Sequence, residues 1–235
     1  MLQWEQPWLE RAIGDVFGYH AVQLGLPQVN FLADSRMPNR WIVSQQTNPI
    51  GLCMHSIVSE FEELPFASQS VDLVVAPHVL EFSADPHQVL REIDRILIPE
   101  GRLFVTGLNP LSLWGMRQAT LKHLHPVWPL EAHPIGVPRL RDLLKLLSFE
   151  TEMGRFGCYR WPSQNESRLQ GGAFMEKAGD RWWPMCGAAY FLGAVKRVRK
   201  MTLIGPRWKT NGVAALTAAA RKPSGAASQP VNKQP

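Results

Sequence analysis

Residues 60–75 read Glu-Phe-Glu-Glu-Leu-Pro-Phe-Ala-Ser-Gln-Ser-Val-Asp-Leu-Val-Val, and this stretch decides the fold class. Its second half, extended to Ala76, is a nearly continuous apolar run, which is typical of a strand buried on both faces of a parallel sheet. A helix is expected next, because Asp85 suits an N-cap, Pro86 suits the first turn, and apolar residues then recur at helical spacing. Strand, turn and helix in this order indicate an α/β protein.

Strand-like and helix-like segments alternate on both sides of this stretch. Six further apolar runs are strand candidates: Tyr19–Leu24, Trp41–Val43, Ile57-Val58, Arg102–Gly107, Phe149–Tyr159 and Ala188–Val198. Pro138 opens a second predicted helix that extends to Leu147, and Ile98–Gly101 predicts a type I turn. This alternation predicts a doubly wound sheet with helices on both faces.

The central stretch resembles the core motif of class I S-adenosylmethionine-dependent methyltransferases of the type 11 group. That motif is a strand-end acidic residue, a short spacer, Leu-Pro-Phe, a polar turn and an Asp-Leu-Val-Val strand. The resemblance runs from Ile57 to Thr106, about a fifth of the chain, and includes His78–Phe82, Asp85-Pro86 and Pro99–Leu103. It implies a Rossmann-like, seven-stranded, mostly parallel sheet with an antiparallel last strand, for which Ala188–Val198 is the candidate.

The resemblance also implies a reaction and a set of site residues. The cofactor would be S-adenosylmethionine and the acceptor a small molecule, since the Leu-Pro-Phe group acts largely on small molecules. Glu60 and Phe61 match the positions at the adenine edge, where a carboxylate accepts from the exocyclic amine and a backbone N–H serves a ring nitrogen. Pro77 and His78 match the positions beside the methionine end. His78 is the candidate catalytic base, with a pKa near neutrality, and the alternative is a structural imidazole bonded to a loop.

Several positions depart from the family pattern. The first strand normally leads into a loop with two or three glycines, whereas Gly25 is the only glycine in Gln23–Val29. The second strand ends at Gln45 without the usual carboxylate for the ribose hydroxyls, Glu60 replaces the usual Asp, and Pro38 leaves room for only a short helix between these strands. The alternative function is therefore a non-catalytic methyltransferase-like module that binds protein or RNA, with weak or lost cofactor binding.

Polar and aromatic residues near the predicted strand ends are candidates for substrate contact. Asn109 and Trp114 follow the fifth strand and offer an amide and an aromatic ring. Alternatively, Asn109 caps the next helix and Trp114 packs beneath it. Trp182-Trp183, beside Arg181, is a candidate for a substrate-facing or membrane-facing patch, although large aromatic side chains are usually partly buried in a core.

Histidine and cysteine spacing predicts no metal site. His123, His125 and His133 match no common zinc pattern, and no cysteine accompanies them. Cys53, Cys158 and Cys186 are far apart and odd in number, which suggests a reducing cytoplasm. Cys158 and Cys186 have no basic neighbour that would lower a thiol pKa, so we expect inert, buried thiols there.

Charge and composition divide the chain into a domain and a tail. The 235 residues are 45% hydrophobic, which suits one globular domain and excludes disorder for most of the chain. The net charge is +5, yet nine cations and no anion follow Val195, so the preceding residues carry −4. We therefore predict a methyltransferase-like domain over residues 1–200 and a basic, mostly disordered tail over 201–235. Nucleic-acid binding through Lys196–Lys200 is disfavoured by the slightly acidic body.

Two segments bear on membranes and export. The longest apolar run, Cys186–Val195, is about half of the ~20 residues that a bilayer requires, so we expect no membrane span. The N-terminal segment carries Glu5, Glu10 and Asp15 and no apolar block after a basic start, so we expect no signal peptide.

Overall fold

The fold is built on one seven-stranded sheet. In chain order its strands are β1 (His20–Leu24), β2 (Asn39–Ser44), β3 (His55–Val58), β4 (Val71–Pro77), β5 (Leu97–Leu108), β6 (Phe149–Gly157) and β7 (Ala189–Lys196). They lie side by side in the order β3-β2-β1-β4-β5-β7-β6. The pairs β1–β2, β2–β3, β1–β4 and β4–β5 are parallel, whereas β7 is antiparallel to both β5 and β6. The predicted mostly parallel sheet with an antiparallel last strand is confirmed.

The computed structural model describes residues 2–46, 55–121, 128–129, 131–159, 179 and 181–198. These residues belong to one compact unit, Met1–Arg199. The predicted tail, 201–235, and the histidines His123 and His125 lie outside the described residues. The helices are α1 (Leu2–Gly14), α2 (Pro86–Ile96), α3 (Leu113–Leu121) and α4 (Val137–Leu146), with a 3₁₀ turn at Pro184–Cys186. Across the described ranges, no helix has the length and apolar content needed to span a bilayer.

Helices cover both faces of the sheet, as predicted. On one face α2 and α4 pack on the sheet, with Val74 and Ala76 of β4 in the same cluster. On the other face α1 and residues 31–37 pack against Leu73 and Val75. Because successive strand residues point to opposite faces, β4 is buried on both sides, which explains its unbroken apolar sequence.

The helix after β4 forms as expected and holds the Leu-Pro-Phe stretch in place. Asp85 caps α2, accepting hydrogen bonds from the backbone N–H groups of the next turn at 2.9 and 3.1 Å. Arg95, near the end of α2, donates to the carbonyls of Leu64 and Phe66 at 2.8 Å each. Glu92 accepts from the Leu64 N–H at 3.0 Å. The segment between β3 and β4 is thereby fixed to the helix that follows it.

Two local predictions differ from the structure, and one helix was not predicted. Ile98–Gly101 is not a type I turn but part of β5, where the register with β4 shifts and Glu100 adopts a φ of 65°. Residues 25–38, between β1 and β2, form turns rather than a short helix. Helix α1, which carries Pro7 inside it, was not predicted from the sequence.

The first two cations of the basic segment are paired within the fold. Lys196 is buried, and its Nζ lies 3.0 Å from a carboxylate oxygen of Asp94. Arg197 pairs with three carboxylates, those of Glu100, Glu150 and Glu152. These two side chains are therefore engaged in ion pairs within the fold, which weakens the case for a nucleic-acid site here.

Candidate functional site

A pocket of about 260 Å³ opens at the carboxyl ends of β1, β2 and β4. This is the edge at which parallel α/β sheets bind their ligands. The loops after these strands line it: Gly25–Gln28, Ser44–Gln46, Phe61, Pro77–Val79 and Phe82. Four of the five predicted cofactor residues, and His78, are thus brought together.

Gly25 provides the close approach that the pocket needs. Its φ is 70°, a conformation that side chains disfavour. A Cβ atom at this position would lie 3.2 Å from a methyl carbon of Val79 and 3.7 Å from the ring of Phe61. Its N–H donates to the Val43 carbonyl at 2.8 Å, which ties the end of β1 to β2. Any side chain at position 25 would therefore narrow the space beside this backbone, which we call the Gly25 cradle. A ligand lying against the backbone would fit that space.

The buried amide of Gln23 organises the loop that has only one glycine. Gln23 Nε2 lies within hydrogen-bonding distance of the carbonyls of Gly25 and Leu26, at 3.2 Å each, and of Val29, at 2.8 Å. Its Oε1 accepts from the Phe31 N–H at 3.0 Å. A strand side chain thus fixes the path of this loop. This role of Gln23 was not predicted from the sequence, where Gln23 is only a neighbour of Gly25.

Gln45 and Glu60, predicted as separate cofactor contacts, bond directly to each other. Gln45 Nε2 donates to Glu60 Oε2 at 2.7 Å, between the end of β2 and the end of β3. Gln45 lines the pocket and Glu60 does not, and Glu60 follows β3 by two residues. The carboxylate already accepts from a neutral –NH₂ group, the type of donor that an adenine amine also presents.

His78 lies between two buried carboxylates. Its Nε2 is 2.9 and 3.0 Å from the two carboxylate oxygens of Glu5, and its Nδ1 is hydrogen-bonded to Glu81. Glu5 comes from α1 and is fully buried, and Glu81 is 3% exposed. Glu5 also accepts from the Thr106 hydroxyl at 3.0 Å, and Glu81 accepts from the Leu108 N–H at 2.7 Å. Strands β4 and β5 and helix α1 therefore meet at this imidazole.

This environment keeps the His78 ring protonated. Burial lowers the pKa of His78, but hydrogen bonds and charge attraction from Glu5 and Glu81 outweigh it and raise the pKa to about 10. At neutral pH both ring nitrogens therefore carry protons, and neither offers a lone pair. The near-neutral pKa expected from the sequence is wrong in this setting, and the structure resembles the alternative of a structural imidazole. Its catalytic role stays a prediction.

The predicted substrate residues lie outside the pocket. Asn109 is buried, and its Nδ2 donates to the carbonyls of Met185 and Gly187 at 2.8 Å each. Its Oδ1 accepts from the Leu111 N–H at 3.1 Å, so its amide is committed to the fold.

The alternative that Asn109 caps the next helix is wrong, because Ser112 directly precedes α3 and its Oγ accepts from the Gly115 N–H at 3.0 Å. Trp114 lies half-buried in α3 and does not line the pocket.

Sequence reasoning missed two of the buried side chains around the pocket. Glu81 could have been identified from the sequence, since it lies three residues after His78 in the turn that follows β4. No local sequence feature links Glu5 to His78, because the two residues are 73 positions apart in the chain.

Comparison with known proteins gives a consistent pattern. Residues 34–105 match the family model described as a methyltransferase domain. An uncharacterized protein of Escherichia coli, YafS, is 31% identical over 157 residues, covering 66% of this chain and 61% of that protein. Malonyl-[acyl-carrier protein] O-methyltransferase 1 of Coxiella burnetii is 33% identical over 96 residues, covering 40% of this chain and 32% of that one. The chain thus spans less than two thirds of the length of these relatives.

Solved structures agree on the fold. A methyltransferase of Thermotoga maritima, described as a possible histamine N-methyltransferase, superposes with a TM-score of 0.60 at 17% identity, over 83% of this chain and 90% of that one. An S-adenosylmethionine-dependent methyltransferase of Archaeoglobus fulgidus also gives a TM-score of 0.60, at 16% identity, over 83% and 95% of the two chains. At such identities the likeness concerns the fold alone.

These findings agree on one kind of domain and one cofactor. The strand order, the pocket at the carboxyl edge and the matched residues agree with one another. S-Adenosylmethionine is the cofactor that goes with this family. Residues 34–105 therefore match the type 11 methyltransferase domain, and the fold is that of class I S-adenosylmethionine-dependent methyltransferases.

Proposed function

We propose that the protein binds S-adenosylmethionine in this pocket and transfers its methyl group to a small molecule. The observation that carries the proposal is the grouping of Gly25, Gln45, Phe61 and Pro77 around one pocket. The Gly25 cradle supports it, because the backbone there leaves the space that a ligand would fill.

Five residues in or beside the pocket would hold the cofactor. Glu60 would accept from the adenine amine, and the backbone N–H of Phe61 would serve a ring nitrogen. Gln45 would bond the ribose hydroxyls, with less strength than a carboxylate because it is neutral. Pro77 and His78 would flank the methionine end. When bound, the cofactor supplies an electrophilic methyl group on a sulfonium.

The polar groups of the pocket favour one class of acceptor. Of the described lining residues, His78 alone is titratable, and both of its ring nitrogens are bonded to carboxylates. A lining side chain is therefore not available to deprotonate an alcohol. The acceptor we propose is already nucleophilic at neutral pH, such as a carboxylate, and catalysis comes from positioning. The names of two relatives, both malonyl-[acyl-carrier protein] O-methyltransferases, agree with an oxygen acceptor.

A non-catalytic module is the second candidate. The bond between Gln45 and Glu60 favours it, because two of the expected cofactor contacts are engaged with each other. The absence of a carboxylate at the end of β2 points the same way.

Calorimetric titration with S-adenosylhomocysteine separates the two candidates. Binding in the micromolar range, about −8 kcal/mol, supports the enzyme. No heat and no thermal shift at millimolar ligand supports the module. If ligand binds, assays with a methyl-labelled donor test the acceptor class. Carboxylic acids should yield base-labile methyl esters, and transfer to alcohols alone would contradict the proposed acceptor.

A further inference from the structure

Glu5, His78 and Glu81 form a buried cluster at the wall of the pocket, which we call the buried triad. The side chain of His78 is 10% exposed, while those of Glu5 and Glu81 are 0% and 3% exposed. His78 lines the pocket and neither carboxylate does; each carboxylate is bonded to one ring nitrogen. The triad therefore places charge directly beside the pocket without presenting a carboxylate to it.

The hydrogen bonds of the triad fix its net charge. A hydrogen bond between a ring nitrogen and a carboxylate requires one proton, and the triad has such a bond at each ring nitrogen. With both protons on the ring, one imidazolium (+1) and two carboxylates (−2) give a net charge of −1. Moving a proton along either bond leaves this sum unchanged. The charge of the triad therefore does not depend on how the protons are divided between the ring and the carboxylates.

The described surroundings of the triad do not offset this charge. Of the described side chains, only that of His78 forms ion pairs with Glu5 and Glu81. The two carboxylates also accept from neutral donors, the Thr106 hydroxyl and the Leu108 N–H. Because the triad is buried, water and salt screen its charge only weakly, and its field extends into the pocket beside His78.

The rest of the pocket adds no positive charge. Among the described lining residues, none besides His78 carries a formal charge. Gln45, which also lines the pocket, bonds to the carboxylate of Glu60, a second negative charge nearby. A ligand in this pocket therefore meets a negative potential, and such a potential favours a ligand with a positive charge.

We propose that the buried triad makes the pocket select the positively charged sulfonium cofactor over its uncharged thioether product. S-Adenosylmethionine and S-adenosylhomocysteine differ by one methyl group and one positive charge. His78 matches the position beside the methionine end, which carries that charge. This selectivity rests on the proposed function, and it gives Glu5 and Glu81 a role that they exert through His78.

The selectivity has two consequences for the proposed reaction. The charge of the triad is offset once the sulfonium is bound, so an anionic acceptor is not repelled from the loaded pocket. Transfer of the methyl group to the acceptor leaves the sulfur as a neutral thioether. The attraction between triad and ligand is then lost, which favours release of the product.

Calorimetry of the full chain with three ligands tests the charge preference. The ligands are S-adenosylmethionine, S-adenosylhomocysteine and sinefungin, in which a carbon bearing a protonated amine replaces the methylated sulfur. Titration at about pH 6, below the ordinary histidine pKa of about 6.5, keeps the imidazole protonated in variants as well. Wild type should bind both cationic ligands at least about tenfold more tightly than the thioether.

The wild-type titrations alone can overturn the proposal. If the thioether binds as tightly as S-adenosylmethionine, the pocket does not select charge, although the proposed function stands. If S-adenosylmethionine binds more tightly but sinefungin binds only as the thioether does, the preference comes from contact with the methyl group and not from charge. If none of the three ligands binds at millimolar concentration, the proposed function fails and the selectivity fails with it.

Glu5→Gln tests the triad itself, with Glu10→Gln as the matched control. Glu5→Gln keeps the size of the side chain and removes one negative charge, while Glu81 still pairs with His78. The preference for the two cationic ligands should fall from at least about tenfold to about twofold or less, because they bind more weakly while the thioether binds as before. Glu10→Gln removes the same charge from the same helix, where Glu10 bonds to Gln6, and should keep the wild-type preference.

The ratio of affinities separates a charge effect from a structural one. A variant that only loosens the pocket weakens all three ligands by the same factor, so an unchanged preference in Glu5→Gln would overturn the proposal. Melting curves show whether each variant is folded. If Glu5→Gln does not fold, Glu81→Gln replaces it, with the same expected loss of preference and the same contrary result. If neither variant folds, the wild-type titrations decide.

Discussion

Glu5 and His78 lie 73 residues apart in sequence, yet Glu5 Oε1 is 2.9 Å from His78 Nε2. This contact joins the N-terminal helix to the end of β4. A fully buried carboxylate is unfavourable without such a partner, because burial removes its hydration. The pair therefore makes the attachment of α1 dependent on the charge of His78.

The first prediction concerns pH. The pKa of His78 is raised from 6.5 to about 10 in the folded protein. Its contribution to stability is then fully present below about pH 6.5 and is lost as the pH rises through about 10. His78→Asn removes the charge while tolerating the φ of 55° at this position. In denaturant unfolding, the free-energy gap between wild type and this variant should narrow from about pH 6 to about pH 10.

The control for this prediction is His87→Asn, an exposed histidine in α2. Its unfolding free energy should follow wild type across the same pH range. A gap for His78→Asn that stays constant with pH would contradict the raised pKa, and would indicate a neutral, merely packed ring.

The second prediction concerns Glu5. Glu5→Gln keeps the shape and an acceptor for Thr106 but removes one of the two charges that face His78. We expect a loss of about 1–3 kcal/mol in the free energy of unfolding at neutral pH, since Glu81 still compensates the imidazolium. Glu10→Gln, on the same helix, should cost much less. Equal losses of unfolding free energy for the two variants would show that both changes disturb helix α1 in general, and not the buried pair.

The third prediction tests the adenine edge. Glu60 follows a strand end and carries an exposed carboxylate, so Glu60→Ala should leave the fold intact. It should weaken S-adenosylhomocysteine binding by about 1–3 kcal/mol, roughly ten- to a hundredfold. Glu60→Asp should retain most affinity, and the exposed neighbour Glu63→Ala should retain all of it. If wild type and Glu60→Ala bind equally by calorimetry, Glu60 has no adenine role.

The fourth prediction concerns the loop that Gln23 holds. Gln23→Leu fills similar space but leaves the carbonyls of Gly25, Leu26 and Val29 without this donor. We expect lower stability by about 1–3 kcal/mol and at least about tenfold weaker ligand binding, since the Gly25 cradle loses its support. Hydrogen exchange should show faster exchange of the Phe31 amide. Unchanged exchange there would mean that the loop keeps its path without Gln23.

The fifth prediction concerns Asp72, at the start of β4. Its Oδ2 accepts from the backbone N–H groups of Tyr19 and His20 at 3.0 and 2.9 Å. Asp72→Ala should lower the free energy of unfolding by about 1–3 kcal/mol, because two backbone donors lose their acceptor. Asp142→Ala, an exposed position in α4, should change it far less. A normal unfolding curve with a selective loss of ligand binding would contradict this structural role.

Elements with a strong local pattern were predictable from the sequence. β4 can be predicted because burial on both faces requires an unbroken apolar run. α2 can be predicted because Asp85, Pro86 and apolar residues at helical spacing coincide. The antiparallel β7 followed from the family resemblance. By contrast, α1 was missed although Leu9, Ala12 and Ile13 recur at helical spacing, and all three are buried.

The site was predictable in position more than in chemistry. Residues after strand ends gather in parallel sheets, so Gly25, Gln45, Phe61 and Pro77 meet as expected. The charge state of His78 was not predictable, since it depends on Glu5 from a distant helix. The commitment of Asn109 to the fold likewise depends on carbonyls near β7 that sequence spacing does not reveal.

The strand order determines when β6 can join the sheet during synthesis. β6 pairs with β7, and within the described sheet it has no other neighbour, yet β7 leaves the ribosome later. At roughly 5–20 residues per second, the stretch from Gly157 to Ala189 takes on the order of seconds to emerge. During that interval β6 has no place in the sheet and its edge is open to other chains. A nascent chain that stops before β7 is therefore two strands short, and is a natural client for chaperones and proteases.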